Sequence, residues 1–408
     1  MSASSSIHEK PENKMKVAIL TQPLGHNYGG LLQAFALQRL LESLGYQVET
    51  IDRRSSPSLP LKLKITVRHY WAYCTGKAKF PGIQRSLNEL NKNLLQFRDE
   101  MIALSPQINS SEGLREYIIE NGFSAIVVGS DQVWRPRFSP ALKDFFLEFA
   151  TDIEGVKRIS YAASFGVDDF DVPNERLRCF SGLLARFDGV SVRELSGVAI
   201  CREKLNYPAA KVLLDPTLYF DQSFYRGYSK KSKASRSEPY IATYLLDATQ
   251  ERTRLVSELA QRAKLPSREL MHAQTSYFDK DGKPLPAVED WLADFENAEY
   301  VITDSFHGCV FAIIFNKKFI AIGNTMRGLD RFESLLTLFC LSERLIRDGS
   351  LTDYDTIYAE LDKNVDWEEV ELIRARQKDN ALSFISAHFP SLTADRQGNE
   401  LRCESGDE

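Results

Sequence analysis

The feature that most constrains this chain is an alternation of short apolar runs with amphipathic stretches, laid out in two blocks. Lys16–Leu20 (KVAIL) is an apolar run of strand length; the loop TQPLGHNYGG follows, and Leu37, Leu40, Leu41 and Leu44 then recur at helical spacing. Gly45 offers a left-handed stop and Gln47–Ile51 a second strand. Strands joined through a helix lie parallel with a right-handed crossover, so the opening unit is that of a Rossmann-like sheet. The runs Ala125–Val128, 158–162, Gly189–Val192 and 211–214 continue the series, with helical spacing at Leu177, Phe180, Leu184 and Phe187.

A polar, basic stretch at 229–238 (SKKSKASRSE) then reads as a linker. Beyond it, a run at 240–246, a helix at 250–263, a strand at 268–271, a helix holding Val288, Trp291, Leu292 and Phe295, and the strand Tyr300–Thr303 repeat the alternation. The expected class is α/β. Two Rossmann-like domains, 15–228 and 239–345, face each other across a cleft, and a helix at 367–387 within the segment 346–390 packs back across them. Residues 1–14 and 391–408 read as loose tails. Ligands of such folds bind where loops leave the carboxyl ends of the strands, so the candidate chemistry is sought there.

Composition removes other classes. With 408 residues, 43% hydrophobic and 26% charged, the chain is long enough for two cores and too apolar to be disordered. Lys plus Arg (51) and Asp plus Glu (56) leave a net charge of -5, which supplies no global field for nucleic acid. Six cysteines without a C-x-x-C pair suit neither a zinc ribbon nor a disulfide scaffold, and point to the reducing cytoplasm. The first 14 residues lack the apolar core of a signal peptide, and no run approaches the ~18 apolar residues of a spanning helix. Phosphate-loop, G-x-G-x-x-G, H-E-x-x-H and G-x-S-x-G patterns are absent, and histidines 8, 26, 69, 272, 307 and 388 show no ligand spacing, so no metal is expected.

Five strand exits carry polar residues. Asn27, Gly29 and Gly30 lie in GHNYGG, where backbone N–H groups at a helix start either close a tight turn or receive an anion or sugar. Ser130 and Asp131 in GSDQVW, and Ser164 in SFG, leave two further strands. Arg193 ends the buried run SVRE: its guanidinium either grips a carboxylate or phosphate, or pairs with Glu194 or Asp215. In TDSFHGC (303–309) a strand gives way to an apolar helix. Asp304 or Ser305 is the expected cap, which sets His307 in the first turn, either facing the cleft as a general acid or base or packed as a satisfied structural residue.

Taken in succession, NYGG with LLQAFAL, GSDQVW, YAASFG (161–166), SVRE, DPT (215–217) and TDSFHG followed by FNKKFIAIG resemble the polysaccharide pyruvyltransferase family over roughly residues 15–345. That resemblance implies a GT-B-like fold and transfer of pyruvate from phosphoenolpyruvate to hydroxyls of a sugar, in a cell-surface polysaccharide or its lipid-linked precursor. Phosphoenolpyruvate is the donor substrate, and no cofactor is implied. It also implies that Arg193 contacts the anionic donor and that His307 is the acid/base. Many members read R-L-H-G where this chain has Ser305-Phe306-His307-Gly308; Lys317, Lys318 and Arg327 are the candidates to replace that cation.

Between residues 53 and 88 the chain carries eight basic residues and no acidic one, interleaved with Tyr70, Trp71, Tyr73 and Phe80. Two readings stand. The segment is a solvated helical insertion whose aromatics pack on the domain, or a peripheral contact with the inner face of the cytoplasmic membrane that brings the enzyme to a polyprenyl-diphosphate-linked acceptor. Two other functions also stay open: a nucleotide-sugar glycosyltransferase, with Asp168, Asp169 and Asp171 as an acidic metal-binding cluster, and an inactive glycan-binding relative.

Overall fold

The computed structural model describes residues 15–54, 59–76, 82–139, 141–233, 238–271, 283–323 and 328–391. Both apolar rhythms become parallel sheets. In the first half β1 (Lys16–Leu20), α1 (Tyr28–Ser43) and β2 (Gln47–Ile51) form the expected opening unit. A helical insertion follows: α2 (Leu59–Cys74), α3 (Ile83–Leu90), α4 (Lys92–Met101) and α5 (Ser111–Glu120). Next come β3 (Ala125–Val128), β4 (Lys157–Ala163), α6 (Asn174–Leu184), β5 (Gly189–Val192), α7 (Leu195–Glu203) and the short β6 (Lys211–Val212). These strands lie in the order β2-β1-β3-β4-β5-β6, all parallel.

Helix α8 (Gln222–Ser229) precedes the second sheet, built from β7 (Ile241–Tyr244), α9 (Gln250–Ala263), β8 (Ser267–Glu269), α10 (Val288–Asn297), β9 (Tyr300–Thr303), α11 (Phe306–Ile314), β10 (Lys318–Gly323), α12 (Asp330–Leu338) and β11 (Leu345–Arg347). Its order is β11-β10-β9-β7-β8, again parallel. Helices α13 (Tyr354–Asp362) and α14 (Trp367–His388) complete the chain. The strands β3, β5 and β9 are buried on both faces, which is why they read as continuous apolar runs rather than as alternations.

The halves do not merely face each other; they share a core. Leu31, Leu32 and Phe35 of α1 pack in one cluster with Trp291 of α10 and Phe311 of α11. Tyr28 stacks on Trp291 at a centroid distance of 5.0 Å, and its hydroxyl donates to the Pro286 carbonyl at 2.7 Å. Helix α14 spans both bodies as the sequence led us to expect. Val370 and Ile373 join that shared core, while Ala381, Phe384 and Ile385 pack with Val17 and Ile19 of the first sheet. Each large side chain buried this way contributes about 1.5–3 kcal/mol, so the helix is a strap rather than an appendage.

The aromatics of the insertion do not pack on the domain. Tyr70, Trp71 and Tyr73 on α2 are exposed, while Phe80 lies outside the described residues, as do residues 1–14, 234–237 of the linker and 392–408 of the tail.

Candidate functional site

Two strand-to-helix turns, one from each sheet, meet at the cleft. In the first, Asn27 caps α1, its Oδ1 accepting from the Gly30 N–H at 2.5 Å. In the second, Ser305 occupies the cap position of α11 without a side-chain hydrogen bond, and the Thr303 hydroxyl oxygen accepts from the Ser305 N–H at 3.0 Å. Asp304 serves the neighbouring loop instead: its carboxylate accepts from the N–H groups of Leu246 (2.6 Å) and Asp247 (2.9 Å) and from Arg252 (2.7 Å). His307 thus emerges in the first turn of α11, as expected, and its ring lies flat against the bare Cα of Gly29. A Cβ at residue 29 would stand 2.1 Å from His307 Nδ1. The glycine is required by that close approach across the two halves.

Behind the imidazole sits Asp215, whose side chain is wholly buried. Its Oδ2 accepts from Arg193 Nη1 (2.8 Å) and from the Ser130 hydroxyl (2.9 Å), and lies 3.4 Å from His307 Nε2. Its Oδ1 accepts from the Thr217 hydroxyl (2.7 Å) and N–H (3.1 Å). Burial alone raises a carboxyl's pKa, but here the His307 imidazole, the Arg193 guanidinium and the Thr217 hydroxyl outweigh it, and Asp215 is held well below the usual carboxylate range. Asp215 is therefore a fixed negative charge beside the imidazole, 3.4 Å from an Nε2 that makes no hydrogen bond of its own.

Arg193 thus takes the second of its two sequence readings, the ion pair with Asp215. Its side chain is 2% exposed, its guanidinium carbon lies 4.4 Å from the Phe306 ring centroid, and it does not line the cleft. Nε and Nη2 of Arg193 are enclosed without a hydrogen-bond partner. Asp215, one short 3₁₀ turn before the start of α8, neutralises it from within the same half of the molecule.

The cleft itself has a volume of ≈ 700 Å³ and takes walls from both halves: Asn27, Gly29, Gly30 and Asp131 on one side, Ser305, Phe306 and His307 on the other. Of the other residues singled out in the sequence, Ser130 and Ser164 are buried beneath its floor. Ser130 is spent on Asp215, and the Ser164 hydroxyl donates to Glu194 at 2.9 Å. Lys317 and Lys318 are at the far side of the second sheet. Helix α11 carries the chain about 10 Å away from His307 before it ends at Ile314, ahead of Lys317, at 1.5 Å per residue. Lys318 Nζ donates to the Asp362 carbonyl at 2.5 Å, and Lys317 sits near Glu299 and Glu296. Neither replaces the cation missing before Phe306. Arg327 lies outside the described residues.

The cations that do line the cleft are Arg331 and Arg135, neither of which the sequence reading singled out. Arg331 arrives from α12, carried in by the loop at Gly328. There φ is +87° and an added Cβ would lie 1.8 Å from the Gly166 carbonyl oxygen, so only glycine lets the loop press onto the first half. Burial first, and then the neighbouring Arg193, pull the Arg331 guanidinium down to about 9, which leaves it a cation at neutral pH. Its guanidinium carbon is 5.7 Å from the Phe306 ring centroid, the ring that Arg193 also approaches. Arg135 Nη1 donates to Gln132 Oε1 at 2.8 Å, and its guanidinium stacks on Phe138. A basic residue opening α12 and a second ending GSDQVWR were the only signals in the sequence, and nothing local distinguishes them from surface arginines.

The arrangement offers an oriented imidazole, a helix amino end and two guanidinium groups around one cavity, a setting that binds a small polyanion and moves a proton beside it. No group of three or more metal-ligating side chains occurs among the described residues. The acidic run at 168–171 is a surface turn: Asp169 is exposed and pairs with Lys204.

Comparison with known proteins bears on the family and the fold. No curated protein sequence matches the chain. Among solved structures, the UDP-GlcNAc 2-epimerase of Methanocaldococcus jannaschii is 13% identical over 87% of this chain and 95% of its own, with a TM-score of 0.50. A candidate UDP-N-acetylglucosamine 2-epimerase of Listeria monocytogenes is 12% identical over 92% and 97%, at 0.51. The glycosyltransferase SnogD of Streptomyces nogalater is 12% identical over 92% and 99%, at 0.43. At such identities the likeness to the two epimerases is one of fold, two Rossmann-like sheets in the GT-B-like arrangement. The family model for polysaccharide pyruvyl transferase matches residues 27–325, from the cap of α1 to just past β10 and so including Asp215 and His307, and on that match the chain belongs to the polysaccharide pyruvyl transferase family.

Proposed function

We propose that this protein transfers pyruvate from phosphoenolpyruvate to sugar hydroxyls, closing a cyclic ketal. The observation that carries the reading is His307, backed at 3.4 Å by a permanently ionised Asp215 and set in a cleft with Arg331 and Arg135. Phosphoenolpyruvate presents a phosphate and a carboxylate on one carbon, and two guanidinium groups with the α1 amino end match that charge.

The chemistry balances with these groups. A proton added to the methylene carbon makes it a methyl group and leaves an oxocarbenium-like centre at the carbon bearing phosphate and carboxylate. A sugar hydroxyl adds there and gives up its proton; the C–O bond to phosphate breaks, and a neighbouring hydroxyl adds and loses a second proton to close the ring. The products are the ketal and inorganic phosphate. His307 handles protons, Asp215 holds its ring and stabilises its charged form, and Arg331 and Arg135 hold the donor and stabilise the departing phosphate. Arg193 is a positioning residue, acting through Asp215.

Ligand-dependent melting tests the reading. At about a hundred times its Kd, phosphoenolpyruvate stabilises the folded protein by about 2.7 kcal/mol and raises the melting temperature, while a UDP-sugar does not. A shift with the nucleotide-sugar and none with phosphoenolpyruvate overturns it.

A further inference from the structure

Helix α2 is an outward-facing element that the transfer chemistry does not use. It contacts α3, and its buried positions are His69 and Ala72, with Ile65 half-buried. On the other side it exposes Leu59 (82%), Leu63 (66%), Val67 (60%), Tyr70 (57%), Trp71 (58%) and Tyr73 (41%). Among the described residues, these are six of the ten large apolar side chains that are exposed, so the concentration is a property of this helix rather than of the surface.

Their placement is ordered. At about 100° per residue the six fall within an arc of about 160°, centred roughly opposite Ile65, His69 and Ala72. Lys62 borders that arc on one side, and Lys64 and Arg68 border it on the other. No acidic residue occurs from 53 to 88, so the segment is cationic as a whole. An apolar arc edged by cations, with tryptophan and tyrosine in it, matches a bilayer interface: the arc enters the acyl boundary and the cations meet anionic headgroups. A protein partner of ordinary composition would need a compensating acidic rim around an equally apolar groove; an anionic bilayer supplies both at once. No helix among the described residues is long and apolar enough to cross a membrane, so α2 lies on the surface.

We propose that α2 seats the protein on an anionic lipid bilayer. Helix α3, in contact with α2, contributes Leu87 and Leu90 to the cleft wall, so a bilayer-bound α2 places the cleft one helix away from the lipid surface. Seating is separable from catalysis, because vesicle binding is measured with no donor or acceptor present.

The test is co-sedimentation of the full chain with vesicles of phosphatidylcholine alone or with about one-third phosphatidylglycerol. The protein is expected to pellet with the anionic vesicles only and to be released by raised salt. Lys62→Gln, Lys64→Gln and Arg68→Gln together are expected to weaken partitioning on the order of a hundredfold. Leu63→Glu with Trp71→Glu is expected to abolish it without moving the melting temperature, since both side chains already face water. Fluorescence of the wild type shifts to the blue on binding, and the Trp71→Phe variant, still bound, loses that shift. Absence from anionic vesicles, equal binding to neutral ones, or a concentration-dependent dimer that Leu63→Glu with Trp71→Glu dissolves would each overturn the proposal.

Discussion

Gly29→Ala isolates the site from the fold more cleanly than any catalytic-group deletion. The new Cβ would meet His307 Nδ1 at 2.1 Å, Cγ at 2.5 Å and Cε1 at 2.8 Å, whereas ordinary contact begins near 3.4 Å. The ring must therefore retreat by about 1.3 Å, in surroundings it shares with Phe306 at 5.3 Å and Asp215 at 3.4 Å. Displacement on that scale breaks the 3.4 Å approach of Nε2 to Asp215, and misplacing a catalytic group by about 1 Å costs on the order of 100-fold in rate. Helix α1 itself gains from the exchange, because alanine is favoured over glycine inside a helix by about 0.5–1 kcal/mol. We expect kcat to fall about 100-fold with the melting temperature kept within a few degrees. Turnover is read by phosphate release from phosphoenolpyruvate in the presence of acceptor, and folding by calorimetry. A Gly29→Ala enzyme with wild-type kcat would show that the His307–Gly29 contact has no part in the chemistry.

His307→Ala removes the proton carrier and is expected to lower kcat by about 10²–10⁴-fold with folding intact, checked by steady-state kinetics and circular dichroism. Asp215→Asn withdraws the charge between Arg193 and His307 and is expected to destabilise the fold by about 3–5 kcal/mol at neutral pH, read by denaturant unfolding. The sign of its pH dependence follows from the depressed carboxyl. Wild-type Asp215 contributes stability above its unfolded value of 3.8 and loses it as pH falls below that, so the gap to the variant narrows on acidification. Arg331→Gln is expected to raise the KM for phosphoenolpyruvate about 10–100-fold, whereas Lys317→Gln leaves it unchanged; comparable effects from both would return the missing cation to the far end of α11.

Much of the architecture was legible because parallel strands are buried on both faces and announce themselves as apolar runs. AIVV and YVIT were placed to the residue, and α14 starts at Trp367 as its spacing indicated. The last strand of the first sheet is shorter than its apolar run, Lys211–Val212 rather than 211–214: the chain turns out of the ladder at Leu213 to deliver Asp215 beneath the cleft. In the second sheet the strand at 268–271 lies at Ser267–Glu269. Candidate residues on strand-exit loops reached the cleft where their side chains point along the sheet, as Asn27, Asp131 and His307 do. Side-chain direction is what local spacing left out: Ser130 and Ser164 leave the same strand ends and turn inward to Asp215 and Glu194. Lys317 looked near in sequence because ten residues seem short, yet a helix converts them into a crossing of the domain. Arg331 was invisible for the converse reason, being brought home only by the contact of Gly328 with Gly166.

The pairing of Asp215 with His307 has a consequence for motion. The carboxylate belongs to the first half and the imidazole to the second, so the acid/base unit exists only while the two sheets hold their present separation. That separation is not left to a loose interface. Tyr28 stacks on Trp291, α1 and α11 share one core cluster, and α14 ties into the cores of both halves. Interfaces between domains allow motion by default unless they are large and apolar, and this one is apolar at its centre. On the proposed function, Asp215 and His307 would then be held in place before substrate arrives, sparing the reorganisation that an open, hinged cleft would have to complete. Arg193 contributes to the same end from below: with its guanidinium against Asp215 and over Phe306, it fixes the carboxylate and the residue next to His307 at once. A buried arginine that does not line the cleft thus shapes the surroundings of His307 from beneath.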